Sequence, residues 1–252
     1  MRLTGMSKFS PRNILKVIIE IFTKIFTEAG RLMETIDILR TNELFKDLSE
    51  DELNNLASLT SRKSVPKNTL VLSEGDISSS MYLVSSGKLN VTLANEEGRE
   101  IILTTLQAGD HFGELSLIDD EPRSANVIAL EKCEFIILHR ADFLNLLKQN
   151  STLAIGVIKY LCERVRFMTS ITQGLALLDV YGRLSKLLYS LAEPDEQGVL
   201  QVKLPLTHKE IAARVGSSRE MISRIISELE KGRYLTIEHK IITITKKLPS
   251  AW

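Results

Sequence analysis

From Val65 to Leu138, apolar residues recur at every second position in short runs: Leu70 and Leu72, Tyr82 and Val84, Leu89, Val91 and Leu93, then Ile101, Leu103 and Thr105. Each run ends in turn chemistry, at Glu74-Gly75-Asp76, Ser86-Gly87, Glu96-Glu97-Gly98 and Ala108-Gly109-Asp110. Alternation of period two broken by glycine turns predicts an antiparallel sandwich or barrel. The period then changes. Asp142 to Leu147 predicts a short helix, and Ser151 the N-cap of a much longer one. Along that helix Ala154, Ile158, Leu161, Val165, Met168, Thr172 and Leu175 step by alternating four and three residues, a heptad a/d seam. Packing on the chain's own strands would use part of this seam, but its length between two domains predicts pairing with a second copy. Asp179-Val180-Tyr181-Gly182 interrupts the pattern as a candidate hinge, and Glu193 to Gly198 reads as a surface turn.

The C-terminal pattern is different again. Thr207-His208-Lys209-Glu210 has the Thr-x-x-Glu spacing of a capping box. A short helix follows and ends at Val215-Gly216, where glycine suits a left-handed turn. Ser217-Ser218-Arg219-Glu220 opens a second helix, with Ile222, Ile225, Ile226 and Leu229 facing inward and Arg219, Glu220, Ser223 and Arg224 facing outward. Two short helices joined by a Gly turn predict a helix-turn-helix. A plain αα-hairpin with solvated charges competes with that reading. The strand pair expected over residues 236–238 and 241–244, turning at His239-Lys240, weighs against it and predicts a winged helix-turn-helix.

Charge sharpens the picture. The whole chain of 252 residues is neutral, with 32 Lys/Arg and 32 Asp/Glu. From Lys203 to Lys247, however, ten Lys/Arg face five Asp/Glu, a net +5 that leaves −5 on the remainder. A basic end on a mildly acidic body is the asymmetry expected of a nucleic-acid-binding module. Cys133 and Cys162 are the only cysteines, too few for a disulfide framework or an iron–sulfur sensor, and they read as core residues of a cytoplasmic protein. Near the N-terminus the apolar stretch Ile14 to Phe26 is interrupted by Lys16, Glu20 and Lys24, with Glu28 following at the same spacing. That spacing predicts an amphipathic helix packed on protein, with no stable membrane insertion.

The segments Leu206 to Ile211 and Val215 to Ile225 closely resemble the DNA-binding domain of the cyclic-AMP receptor protein / fumarate–nitrate regulator family of bacterial transcription regulators. Phe112-Gly113-Glu114-Leu115-Ser116 through Pro122-Arg123-Ser124-Ala125 resembles the phosphate-binding cassette of cyclic-nucleotide domains. The resemblance implies an α+β chain: an antiparallel β-roll, a long dimerisation helix and a winged helix-turn-helix. The corresponding divisions are an amphipathic extension over residues 1–40, the β-roll over 41–150, the helix over 151–178 and the DNA-binding domain over 179–252.

The resemblance also assigns roles. Arg123 would neutralise a cyclic phosphate, Ser124 and Ala125 beside it, with amides from a helical turn at Leu115 and Ser116. Gly113 would let backbone approach the ligand, Glu114 would accept from the ribose 2′-hydroxyl, and Val91 and Leu103 would flank the nucleotide. The family's Thr-Ser base contact falls, in an ungapped alignment, on Met168 and Thr169; the available pair, Thr169 and Ser170, is displaced by one residue, about 100° around a helix. The base therefore stays open among cyclic AMP, cyclic GMP, cyclic di-GMP and no ligand, with cyclic AMP leading. Arg219, Glu220 and Arg224 match the family's base-reading residues, so a TGTGA-like half-site in inverted repeat is implied. Thr207, Lys209, Ser218 and Lys240 are candidate backbone contacts. Expected partners are double-stranded DNA, a second copy of the chain, a cyclic nucleotide and RNA polymerase, with no cofactor. A regulatory subunit without DNA binding is the rival function. An enzyme is not expected, because no nucleophile–base pair or metal cluster is evident and the four histidines are scattered.

Overall fold

A computed structural model gives the fold and describes residue 23, residues 29–98 and residues 100–249. The amphipathic helix expected around residues 14–26 lies, Thr23 apart, outside the described residues. Helix α1, described over residues 29–41, and α2 (Glu50–Ser58) precede the strands. These are β1 (Ser61–Val65), β2 (Leu70–Leu72), β3 (Ser80–Ser86), β4 (Leu89–Ala94), β5 (Glu100–Leu106) and β6 (His111–Phe112). Then follow α3 (Leu115–Asp119), β7 (Asn126–Ala129) and β8 (Cys133–His139). They form two four-stranded antiparallel sheets, ordered β1-β8-β3-β6 and β2-β7-β4-β5. The period-two pattern thus becomes a β-roll, and Gly75, Gly87, Gly98 and Gly109 at its turns all take positive φ.

Alternation along the strands divides the core. Val84, Leu89, Phe112, Val127 and Phe135 fill the space between the sheets. There Phe112 stacks on Tyr82 at 5.1 Å between centroids and meets Phe135 edge-on at 5.5 Å. Met81, Leu83, Ile136 and Leu138 point to the other face of the β3–β8 pair, which is covered by Ile36, Leu39, Phe45, Leu53, Leu56, Phe143, Leu153 and Val157. Helix α1 is therefore part of this core through Ile36 and Leu39. Arg62 of β1 ties it down, donating to Glu34 at 2.9 Å and to the Thr35 hydroxyl at 2.9 Å.

Helix α4 (Arg140–Gln149) leads into α5 (Ser151–Leu177). The N-cap of α5 is Asn150, not Ser151: Asn150 keeps extended backbone and its side chain accepts from the Leu153 amide, while Ser151 is already helical. Leu153, Val157, Tyr160 and Leu161 of α5 pack on the β-roll. Of the other seam positions, Ile158 is 60% and Val165 65% exposed. Cys133 is buried as expected, but Cys162 is exposed on α5. The helix stops at Leu177, and Asp179 caps α6 (Val180–Leu191) by accepting from the Gly182 amide at 2.7 Å. The break is thus narrower than its sequence suggested, since Tyr181 and Gly182 already lie in α6.

A separate core holds the remainder: Leu184 and Leu188 of α6, Ile211 of α7 (His208–Val215), and Ile222, Ile225, Ile226 and Leu229 of α8 (Arg219–Lys231). The wing is β9 (Glu193–Pro194), β10 (Leu200–Val202), β11 (Leu235–Glu238) and β12 (Ile241–Ile244), ordered β11-β12-β10-β9. Among the described residues no helix is long and apolar enough to cross a membrane.

One turn offers a clean test. A Cβ at Gly87 would lie 2.6 Å from Cys133 Sγ and 2.7 Å from the Lys132 carbonyl, whereas Gly198 (φ +80°) has open space around it. Both carry left-handed strain for alanine, but only Gly87 adds overlap with backbone. Gly87→Ala should therefore destabilise by about 1–3 kcal/mol more than Gly198→Ala in urea unfolding. Equal losses would mean that the close approach at Gly87 is absent.

Candidate functional site

The cassette begins where β6 ends. Gly113 takes a left-handed φ of +81°, and a Cβ there would sit 2.5 Å from Arg123 Nη1, so the guanidinium lies close against it. Arg123 is only 4% exposed. Its Nη1 donates to the Gly113 carbonyl and to Ser116 Oγ at 2.6 Å; its Nη2 donates to Ser78 Oγ at 2.7 Å and to the Ser80 carbonyl. Every acceptor is neutral. Its Nε–H is buried with no partner, and no described carboxylate forms a salt bridge with it. Burial lowers its pKa, yet a guanidinium stays protonated, so this is a buried cation with no ion-pair partner among the described residues.

Glu114, also 4% exposed, is held from the long helix: Tyr160 of α5 donates its hydroxyl to Glu114 Oε1 at 2.8 Å. The Tyr160 ring lies 4.6 Å from the His111 ring. Asn42 fixes the histidine tautomer. Its carbonyl oxygen accepts from the Leu44 amide, so its amide nitrogen donates both to the Gly109 carbonyl (2.8 Å) and to His111 Nδ1 (3.1 Å). The neutral ring must then carry its proton on Nε2, and that N–H is buried without a partner.

Val91, Gly113, Glu114, Leu115, Ser116, Arg123, Ser124 and Ala125 together line one cavity of about 80 Å³. A larger cavity of about 410 Å³ adjoins it and shares Thr104, Leu106, His111, Tyr160 and Arg164 as walls. Leu103 is not at the cassette. A β-bulge pairs Val91 with Thr104 and Thr92 with Ile102, leaving Leu103 as the extra residue and putting Thr104 on the cavity. Thr169 and Ser170 are not there either. They sit further along α5, bonded back to the carbonyls of Val165 and Phe167. The residues that α5 does contribute, Tyr160 and Arg164, are four apart and so share a helix face; that spacing was the available signal. Helix α3 is only five residues long, so the positive charge at the cassette is that of Arg123 rather than of a helix terminus.

The second site is the helix-turn-helix. Thr207 and Glu210 form the capping box, Gly216 ends α7 in the left-handed region, and Ser218 caps α8 by accepting from the Met221 amide at 3.2 Å. Lys209, Arg219, Glu220, Arg224 and Lys240 are all exposed, the last in a turn where His239 and Lys240 both take positive φ. Lys209, Ser218, Arg219 and Glu220 do not face open solvent alone. They line a cavity of about 820 Å³ whose opposite wall is the β4–β5 hairpin, including Leu93, Asn95 and Ile101. Beside it, Arg214 of α7 donates to Thr105 Oγ1 of β5 at 2.7 Å, while its own Nε is buried unpaired. Strand β5 therefore touches the cassette cavity through Thr104 and the DNA-binding domain through Thr105.

The histidine makes this region acid-sensitive. Burial holds the His111 pKa below its ordinary value, against the opposing pull of Glu114 and Asp110. A depressed histidine contributes stability that is present above the unfolded pKa and lost as pH falls below it. Stability should thus be flat above about pH 7 and fall below about 6.5, by at most ~1.4 kcal/mol per pH unit. His111→Gln should flatten that descent in urea unfolding at stepped pH; an unchanged profile would place the sensitivity elsewhere.

Comparison with known proteins identifies both domains. Residues 62–150 match the cyclic nucleotide-binding domain, and residues 182–247 match the Crp-like helix-turn-helix domain. The chain is 31% identical over 191 residues to the Cyclic AMP receptor protein of Thermus thermophilus, covering 76% of this chain and 87% of that protein. It is 32% identical over 197 residues to the cAMP-activated global transcriptional regulator Vfr of Pseudomonas aeruginosa, covering 75% and 91%. Among solved structures, the Thermus thermophilus catabolite activator protein superposes with TM-score 0.51 at 28% identity, covering 82% of this chain and 95% of that one. The c-di-GMP-responsive regulator CLP of Xanthomonas campestris superposes with TM-score 0.66 at 24% identity, covering 78% and 99%, a likeness of fold. The chain belongs to the cyclic-AMP receptor protein / fumarate–nitrate regulator family of transcription regulators.

Proposed function

We propose that this protein is a homodimeric regulator that takes a cyclic mononucleotide, cyclic AMP first, in the cassette and binds an inverted-repeat operator through α8. The observation that carries the reading is Arg123: a buried guanidinium, bonded only to neutral oxygens and with a free N–H, lining a cavity opposite a carboxylate. A cyclic phosphate supplies the missing anion, and a ribose hydroxyl supplies a donor for Glu114. The names of two relatives favour cyclic AMP. The cavity, at about 80 Å³, is far below the ~300 Å³ or more of ordinary ligand sites, so binding must open it, and a mononucleotide asks for the smaller opening.

The exposed seam of α5 supports dimerisation: Ile158, Val165 and Leu175 form an apolar row that the described residues leave uncovered. For DNA, the first turn of α8 must enter a major groove, with its dimer mate about 34 Å away. Here that turn faces the β4–β5 hairpin, so operator binding requires the hairpin and helix-turn-helix to separate, breaking the Arg214–Thr105 bond. Effector acts by favouring the separated arrangement, to the extent that it binds that arrangement more tightly.

Calorimetry and fluorescence anisotropy on labelled operator DNA test both ends. Arg123→Leu should lose about tenfold to a hundredfold in cyclic AMP affinity, the worth of a charge-assisted hydrogen bond. Undiminished binding would remove the cassette assignment. Arg219→Ala should cost about 1–3 kcal/mol on the cognate operator and relax selection at one G·C pair. Lys209→Ala should weaken all sequences alike and lower the salt slope by about one. An operator selected from random DNA that lacks paired half-sites, or that Arg219→Ala leaves unchanged, would contradict the DNA-binding role.

A further inference from the structure

The contact between Glu114 and Tyr160 raises a question that the effector reading leaves open. Glu114 is buried, yet its carboxylate is not waiting empty for a ligand. The Tyr160 hydroxyl already donates to Oε1 at 2.8 Å, across a separation of 46 residues from the middle of α5. A neutral hydroxyl donating one hydrogen bond to a carboxylate is also what a ribose 2′-hydroxyl would offer. Burial and the neighbouring Glu114 charge raise the pKa of the phenol well above its ordinary value, so it remains a donor at any working pH.

The surroundings fit a side chain that can leave. Tyr160 is a wall shared by the cassette cavity and the adjoining one of about 410 Å³. The second cavity offers a displaced ring both room and polar partners, with Thr41, Asn42, Glu43 and Asp110 on its lining. On its near side Tyr160 packs against His111, whose Nε2–H is buried and unpaired, so the present packing already leaves one donor unsatisfied. The cassette cavity is too small for a nucleotide as it stands. Of its walls, Tyr160 and Arg164 come from the helix rather than the β-roll, and only Tyr160 is bonded to a group that the ligand needs.

We propose that Tyr160 is the chain's internal stand-in for the nucleotide's ribose hydroxyl, and that binding is an exchange in which the 2′-hydroxyl replaces the Tyr160 hydroxyl on Glu114. This rests on the cassette being a cyclic-nucleotide site. Tyr160 is then a specificity-determining residue with two effects. It prevents the empty site from burying an unpaired carboxylate, and it makes the ribose hydroxyl a replacement rather than a net gain. The exchange is also felt directly on α5, because Tyr160 lies between the seam residues Ile158 and Leu161.

The test compares cyclic AMP with 2′-deoxy cyclic AMP by calorimetry, on the full chain and on Tyr160→Phe, which keeps the ring and removes only the hydroxyl. In the unaltered chain one hydrogen bond replaces another, so loss of the 2′-hydroxyl should weaken binding by no more than about threefold, well under one net hydrogen bond to a charged group. In Tyr160→Phe the carboxylate has no internal donor, and discrimination between the two ligands should widen by about tenfold or more. The unaltered chain also gives an independent readout: with tyrosine labelled at Cζ, one of the five tyrosine resonances should respond to cyclic AMP and not to the deoxy ligand. If both proteins bind cyclic AMP with the same discrimination, or no tyrosine resonance separates the two ligands, the exchange is wrong while the effector site stands. If neither protein binds either ligand, the effector reading itself fails and the exchange with it.

Discussion

A guanidinium removed from water and surrounded by neutral oxygens is costly unless an opposite charge arrives. Arg123 is in that position, and much of the β-roll is arranged around it. Gly113 holds a left-handed φ of +81° with the guanidinium close against it, and Ser116 and Ser78 are placed to accept from it. The carbonyls of Gly113 and Ser80 complete the shell. These partners come from β3, the loop before it and the cassette, so the charge holds together segments that are distant in sequence. They satisfy its donors in part, and its Nε–H stays buried without a partner.

From that point two elements run outward. Helix α5 lines the cassette cavity with Tyr160 and Arg164 and also presents Ile158, Val165 and Leu175 as exposed apolar residues, so one helix carries both a wall of that cavity and an apolar row. Strand β5 does the equivalent toward DNA. Its bulge turns Thr104 to the cavity, while Thr105 accepts from Arg214 at the back of the helix-turn-helix. A change of packing at the cassette thus has two short physical routes, through residues already in contact. Coupling between two sites requires an element with two discrete arrangements, and α5 and β5 are the elements in contact with the cassette from which it would have to be built.

Much of this was legible in the sequence because it depends on local chemistry. Period-two apolar runs and glycine turns gave the strands, and Thr207, Glu210, Gly216 and Ser218 mark the helix-turn-helix by capping geometry alone. Arg123, Glu114 and Gly113 stand in one contiguous motif. The parts that escaped were set by tertiary packing. Tyr160 and Arg164 lie far from the cassette in sequence, on a helix whose heptad steps drew attention to the opposite role. A single bulge moved the cavity position from Leu103 to Thr104. Asn150, with a side chain that also reaches Glu52, took the cap expected of Ser151. Ile36 and Leu39 look like parts of an appended helix in sequence, and only the folded chain shows them closing the β3–β8 face.

The decisive question for this protein is whether the buried Arg123 site takes a cyclic phosphate. The most direct measurement is calorimetric titration of the purified full chain with a panel of cyclic AMP, cyclic GMP, cyclic di-GMP and linear 5′-AMP. Saturable binding of a cyclic mononucleotide at one site per chain, with 5′-AMP markedly weaker, is the expected result. An absence of binding heat across the panel and across temperatures would show that Arg123 is a structural charge closed within its shell of neutral oxygens, and the central claim would be wrong.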